Sequence, residues 1–255
     1  MINNNPINKS PLKIRRALIS VYDKTDILDL AESLVKADIE ILSTGGTEKT
    51  LRKSNIPVIN VSDYTNFPEI MDGRVKTINP LIEGGILGFR DSHLKEAEKH
   101  KIKWIDLVIC NLYPFAKTIM RRDCNLSLAL ENIDIGGPTM IRAAAKNYKD
   151  VTVITNISQY EDLVEDLNKN NGSTSLDFRR RVALEAFGET AYYDSLIYNY
   201  FNSISSNEFP KKIVLGFNLH EKLRYGENPH QEGAIYTSLK NPVLTKLNGK
   251  QLSYN

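Results

Sequence analysis

Ala17 to Val21 (ALISV) is a short continuous apolar run, the pattern of a strand buried on both faces. It stops at Tyr22-Asp23-Lys24-Thr25, and apolar residues then recur at helical spacing at Ile27, Leu30, Ala31, Leu34 and Val35. A second strand is predicted over Ile39 to Leu42, ending at Ser43-Thr44-Gly45-Gly46-Thr47, with a helix following from Thr47. A third strand, Pro57 to Val61, closes the alternation. Strand, helix, strand, helix, strand predicts an α/β fold: a parallel sheet flanked by helices, with ligands beyond the carboxyl ends of its strands. Both the YDKT and the STGGT loops fall at that end. Further on, Trp104 to Cys110 (WIDLVIC) reads as another buried strand. Pro114 ends it, which puts Cys110, Asn111 and Tyr113 at the ligand end as well. Asp150 to Thr155 is a strand, Ser158 with Glu161 is a capping box for a helix to about Leu167, and Leu176 to Phe201 is a long helix.

The less regular stretches are informative in other ways. Ser62 to Arg90 lacks clean periodicity and holds Pro68, Gly73, Pro80, Gly84, Gly85 and Gly88. A long irregular segment within a compact domain is more often functional than idle. Ser92 to Lys101 has the charge of an exposed helix. The pattern breaks after Asn202 at SISSNEFPKK, a domain boundary, which leaves one domain over residues 14–205. Residues 206–255 follow as a linker and a further piece, roughly Ile213 to Asn255, too short to bury a core of its own. At the other end, residues 1–13 lack the apolar core of a signal peptide and read as a disordered leader.

Composition narrows the classes. Lys plus Arg (33) nearly balances Asp plus Glu (31) over 255 residues, which excludes broad nucleic-acid binding but allows a local basic pocket for a phosphorylated metabolite. Cys110 and Cys124 have no metal-type spacing, so neither a disulfide scaffold nor a metal site is expected. No apolar run approaches a membrane span, and the expected compartment is the cytoplasm.

Three stretches carry candidate chemistry. In STGGT, Gly45-Gly46 lets backbone N–H groups point at an anion, the following helix adds its positive end, and Ser43, Thr44 and Thr47 add hydroxyls, with Lys24 as a point charge. The bland reading is an N-capped turn. In Gly73-Arg74-Val75-Lys76-Thr77, two cations and a threonine fit the rest of a nucleotide, or merely a solvated basic loop. In ENIDIGGPTMIRAAAKN, Asp134 precedes a Gly136-Gly137 turn and a helix carrying Arg142 and Lys146. One straight helix from Gly137 to Lys146 spans about 14 Å. Asp134 and Lys146 serve one substrate only if the glycine turn folds Asp134 back beside that helix. A glycine turn feeding a surface helix fits the same residues.

SVYDKT, STGGT, FPEIMDGRVKT, CNLYPF, IDIGGPTMIRAAAKN and RYGENPHQ stand here in the order found in the bifunctional AICAR transformylase/IMP cyclohydrolase family of purine synthesis, which the chain resembles from about Ala17 onward. The resemblance implies a methylglyoxal-synthase-like fold, a homodimer, and a cyclohydrolase that closes formamido-imidazole-carboxamide ribotide (FAICAR) to IMP without a metal or organic cofactor. It implies Lys76, Tyr113, Asp134 and Lys146 as catalytic, Asp134 orienting the carboxamide and Lys146 supplying the proton or charge at the former formyl oxygen. Phosphate would sit on Tyr22 to Lys24 and Thr44 to Thr47, and the nucleotide along Arg74 to Thr77, Cys110, Asn111, Ile135, Gly136 and Gly137. Arg224 and Tyr225, with His230 near them, match the opening of the transformylase half, as does LNGKQLSYN; formyl-tetrahydrofolate is that half's co-substrate, and formyl transfer is not expected from this chain alone. Where relatives often carry histidines, this chain has Asn79 and Glu83. The same fold also serves as a regulatory phosphate-binding module, which would not require the catalytic set.

Overall fold

A computed structural model describes residues 11–71, 73–205, 208–239 and 252. Five strands, β1 (Arg16–Val21), β2 (Glu40–Ser43), β3 (Ile59–Asn60), β4 (Leu107–Asn111) and β5 (Thr152–Ile154), form one parallel sheet in the order β3-β2-β1-β4-β5. β1 is central because its residues are apolar on both faces: Ala17, Leu18 and Ile19 are fully buried. Sheet order reverses between β1 and β4, where Ala17 pairs with Leu107 and Val21 with Asn111. Connections leave the two strands toward opposite edges there, and the crevice that opens beyond their carboxyl ends is where such sheets take ligands.

Helices cover the sheet. α1 (Ile27–Lys36) buries Ile27, Leu30, Ala31 and Leu34, the stripe its spacing predicts. α2 (Gly45–Lys53) springs directly from β2. The stretch read as irregular contains a short helix, Val61–Thr65, and then α3 (Pro80–Leu87). Asn79 caps α3 through its side-chain oxygen on the Leu81 N–H, and Pro80 starts it. Its glycines are packing surfaces rather than breaks: a Cβ on Gly85 would stand 2.6 Å from the Lys103 carbonyl oxygen. α4 (Gly136–Lys146) buries Met140, Ile141, Ala143, Ala144 and Ala145.

Two expectations are corrected. The capping box before the helix α5 (Tyr160–Lys169) belongs to Asn156 and Gln159, two residues before Ser158 and Glu161. Ser158 instead donates its N–H to Asn156 Oδ1 at 3.0 Å, and a 3-10 turn over Ile157–Gln159 precedes α5. The leader does not extend to Lys13, because Leu12–Lys13 pairs antiparallel with Ser173–Thr174. The rest of that leader up to residue 10, the boundary at Ser206, and LNGKQLSYN except Leu252 lie outside the described residues.

By packing, the chain divides into Met1–Pro114 with Leu130–Thr190, and Phe115–Ala129 with Ala191–Asn255. The first unit holds the sheet. In the second, Phe115 is fully buried with its ring edge-on to Tyr193 and Tyr200, and Asn218–Lys222 pairs antiparallel with Ala234–Thr237. The long helix α6 (Leu176–Ile204) contributes residues to both units. Arg224 and Tyr225 belong to the second unit, the guanidinium lying 4.9 Å from the ring centroid.

Candidate active site

The end of β2 turns straight into α2. Thr44 is extended, at φ −128° and ψ 155°, its side chain makes no cap bond, and Gly45 takes φ +47°, a value few L residues adopt. The first N–H groups of α2 are therefore left without a side-chain cap, at the positive end of a nine-residue helix. Two ammonium groups flank this turn. Lys76 Nζ lies 3.3 Å from where a Cβ on Gly45 would stand, and Lys24 Nζ 3.7 Å from the equivalent point on Gly46. Free N–H groups, a helix terminus and two cations together make a place for a phosphate-like anion.

The residues around it are fastened to the sheet. Thr47 Oγ1 donates to the Val21 carbonyl at 2.9 Å and accepts from the Val21 N–H at 3.1 Å, joining α2 to the end of β1. Asn111 Oδ1 accepts from the N–H groups of Tyr22 (2.7 Å) and Asp23 (3.0 Å), and its Nδ2 donates to the Asp23 carbonyl at 2.9 Å. Lys24 Nζ donates to the Tyr22 carbonyl at 3.0 Å. The Tyr22 and Tyr113 rings meet edge to face, 5.7 Å between centroids.

The Gly136-Gly137 turn does fold Asp134 back. Asp134 Oδ1 accepts the Gly137 N–H at 2.8 Å, and a Cβ on Gly137 would lie 2.5 Å from Asp134 Oδ2 and 2.8 Å from Leu112 Cδ2. Only glycine admits the carboxylate here. Burial pushes the Asp134 carboxyl above its ordinary range, while the N–H groups of Gly137 and Tyr113 and the charge of Lys76 pull it down. Of these influences desolvation is the largest and outweighs the lysine. Burial, and then the Asp134 charge, likewise raise the Tyr113 phenol.

One cavity of about 540 Å³ joins these parts. Tyr22, Lys24, Thr44, Gly46, Thr47, Arg74, Lys76, Thr77, Asn111, Tyr113, Asp134, Ile135, Gly136 and Gly137 line it. Other candidates do not. Asp23 turns its carboxylate onto the Thr25 N–H and hydroxyl, at 3.0 and 2.7 Å. Ser43 is buried and donates to the Ile19 carbonyl at 2.7 Å. Val75 bridges Ile70 in a tight reversal. Cys110 is buried within β4, and burial pushes its thiol well up. Gly45 flanks the cavity without lining it. Lys146 is exposed in the last turn of α4, at the far end from Asp134, so one chain does not bring those two together.

Sequence reasoning missed several lining residues: Ser20, Leu130, Glu131, Ile133 and Met140. Glu131 pairs with Arg74 across the mouth, both side chains largely exposed. Nothing in the local pattern distinguishes such a glutamate from a solvated one; only its nearness to Asp134 in the chain was a signal. Among the described residues no three His, Cys, Asp or Glu side chains gather to hold a metal ion, and no helix is long and apolar enough to cross a membrane.

Comparison with known proteins adds to this geometry. Residues 26–139 match the MGS-like domain family, in agreement with the fold class expected from the strand and helix pattern. Residues 144–255 match the family described as AICARFT/IMPCHase bienzyme. The chain is also similar to a solved structure described as the crystal structure of ForH, at 30% identity and a TM-score of 0.66, covering 76% of this chain and 100% of that one.

Proposed function

We propose, from the premise that this chain belongs to the AICARFT/IMPCHase bienzyme family of purine biosynthesis, that its cavity closes FAICAR to IMP with loss of water. One observation carries the reading: the lysine-flanked anion turn and the folded-back Asp134 open into a single cavity. Its volume is within the range of small-ligand sites, about 300–1,000 Å³. A phosphate sensor needs only the first of these two features, and nothing in sensing calls for a carboxylate held against burial.

The reaction joins two groups of one molecule, so proximity is not the obstacle. The carboxamide nitrogen is a poor nucleophile because its lone pair is delocalised. The formyl oxygen takes on negative charge as the C–N bond forms, and then departs as water. With phosphate anchored between Lys24 and Lys76, the base is directed toward Asp134 and Tyr113. Asp134 orients the carboxamide and accepts its proton; the raised affinity for protons that burial confers suits a general base. Lys76, the cation whose charge reaches Asp134, and the protonated Tyr113 phenol position the base and complete the relay to the leaving water, while Lys146, delivered by a second copy of the chain, supplies positive charge at the formyl oxygen. Each step uses protein groups and the substrate alone.

The test is direct. Purified chain is given FAICAR, and IMP is followed as it forms. Enzymatic IMP formation is expected, with Asp134→Asn slower in kcat by on the order of 10²-fold or more. IMP formation no faster than in buffer would overturn the reading.

A further inference from the structure

We propose that Asn111 is a positioning residue that latches the Tyr22–Lys24 turn and so holds the Lys24 ammonium at the anion end of the cavity. The proposal rests on the anion site described above and deepens it.

β1 and β4 pair as far as Val21 and Asn111, their last residues. Beyond Val21 the chain leaves the sheet, and the backbone groups of Tyr22 and Asp23 lose their ladder partners. The Asn111 side chain takes over that role. Its oxygen accepts two successive N–H groups at 2.7 and 3.0 Å, and its nitrogen donates to the Asp23 carbonyl at 2.9 Å. Two donors on one terminal atom and one acceptor on the other fix which is oxygen and which is nitrogen. A carboxamide has two acceptor sites and two N–H donors, so both acceptor sites and one donor are occupied within the protein. No other side chain of this size supplies both kinds of group. Aspartate lacks the donor, and serine lacks the reach to both N–H groups.

Lys24 depends on this turn at both ends. Its ammonium donates back to the Tyr22 carbonyl at 3.0 Å, and the next residue, Thr25, is tied to the Asp23 carboxylate. The turn so fixed places Lys24 Nζ 3.7 Å from where a Cβ on Gly46 would stand. Asn111 therefore acts on the anion chiefly through Lys24, although it also lines the cavity. A residue acting only by direct contact would contribute independently of Lys24.

Two measurements test this. Amide hydrogen exchange at Tyr22 and Asp23 is followed by NMR in the full chain, its Asn111→Ala variant and its Asn111→Asp variant. Loss of the accepted bonds speeds exchange at these two amides by on the order of tenfold, with the β1 amides unaltered. Asn111→Asp keeps the acceptor and restores most of the protection. IMP affinity is then measured by calorimetry for the native chain, Asn111→Ala, Lys24→Ala and the double variant. Each single change weakens IMP by on the order of tenfold, and the double variant binds no worse than Lys24→Ala. Unaltered exchange at Tyr22 and Asp23, no rescue by aspartate, or losses that multiply in the double variant would each overturn the latch. If the native chain binds no IMP, the nucleotide reading falls, and the exchange result still decides the latch.

Discussion

A methyl group at position 137 would meet Asp134 Oδ2 at 2.5 Å, so the carboxylate and the glycine occupy their places jointly. The carboxylate is desolvated by that arrangement, and desolvation is the largest influence on its protonation. Two N–H groups and the Lys76 ammonium offset it in part. The sign of a lysine deletion follows. Removing a cation disfavours the ionised form, so Lys76→Ala raises the Asp134 pKa further. A base protonated over a wider range loses activity earlier as pH falls, and the acidic limb of the kcat/KM profile should move to higher pH. The profile is measured against pH in both proteins; an unmoved acidic limb would show that Lys76 and Asp134 do not communicate. Asn111 and Thr47 act at this scale in another way, as side chains that complete the backbone hydrogen bonding of strand ends.

At the scale of elements, α3 shows how residues that normally interrupt structure can build it. Pro80 at its first position needs no N–H partner, Asn79 caps it, and Gly85 lets it press onto the Lys103 carbonyl. Glu83 is the discordant member of this helix. Its Oε1 is buried with no hydrogen-bond partner among the described residues, and burial pushes the carboxyl up to about 7. The unfolded chain releases this proton near the ordinary glutamate value of 4.5, the folded chain only near 7. Between those values the folded state holds more protons, so the stability attributable to Glu83 falls as pH rises through that window and stays lost above it. Glu83→Gln removes the titration. It should raise Tm more at pH about 8 than at pH about 5, by several degrees if even a discounted share of the shift is realised. Thermal unfolding at the two pH values is the check, and an equal effect at both would remove Glu83 as the cause.

At the scale of the molecule, Lys146 poses the sharpest question. The family resemblance puts it in the catalytic centre and implies a homodimer, yet within one chain it ends α4, about 14 Å along the helix from Gly137. Delivery of Lys146 from a second copy reconciles both implications. Asp134→Asn and Lys146→Ala would then each be inactive as pure dimers, and subunit exchange between them should restore about one quarter of native activity, since half of the mixed dimers' sites are intact. Inactive mixtures after proven subunit exchange would sink the shared site. The fold itself was legible along the chain because apolar runs and helical spacing are local: ALISV and the Ile27 to Leu34 stripe became the elements they predict, and WIDLVIC became a strand from Leu107 onward. Loops at strand ends were legible for the same reason, since a parallel sheet puts its ligand end where the strands stop. The tertiary structure alone decided which residues of those loops face the cavity. Ser43 and Cys110 were sound by position, but alternation along a strand sends their side chains into the packed interior. Leu130, Glu131 and Met140 carry no repeating local pattern and line the cavity because their stretch of chain converges there with the ends of β1, β2 and β4 and with the Gly73 to Thr77 loop. Periodicity is written in neighbouring residues, whereas burial, the proton affinity of Asp134 and the set of side chains that meet in the cavity depend on what the rest of the chain brings beside them.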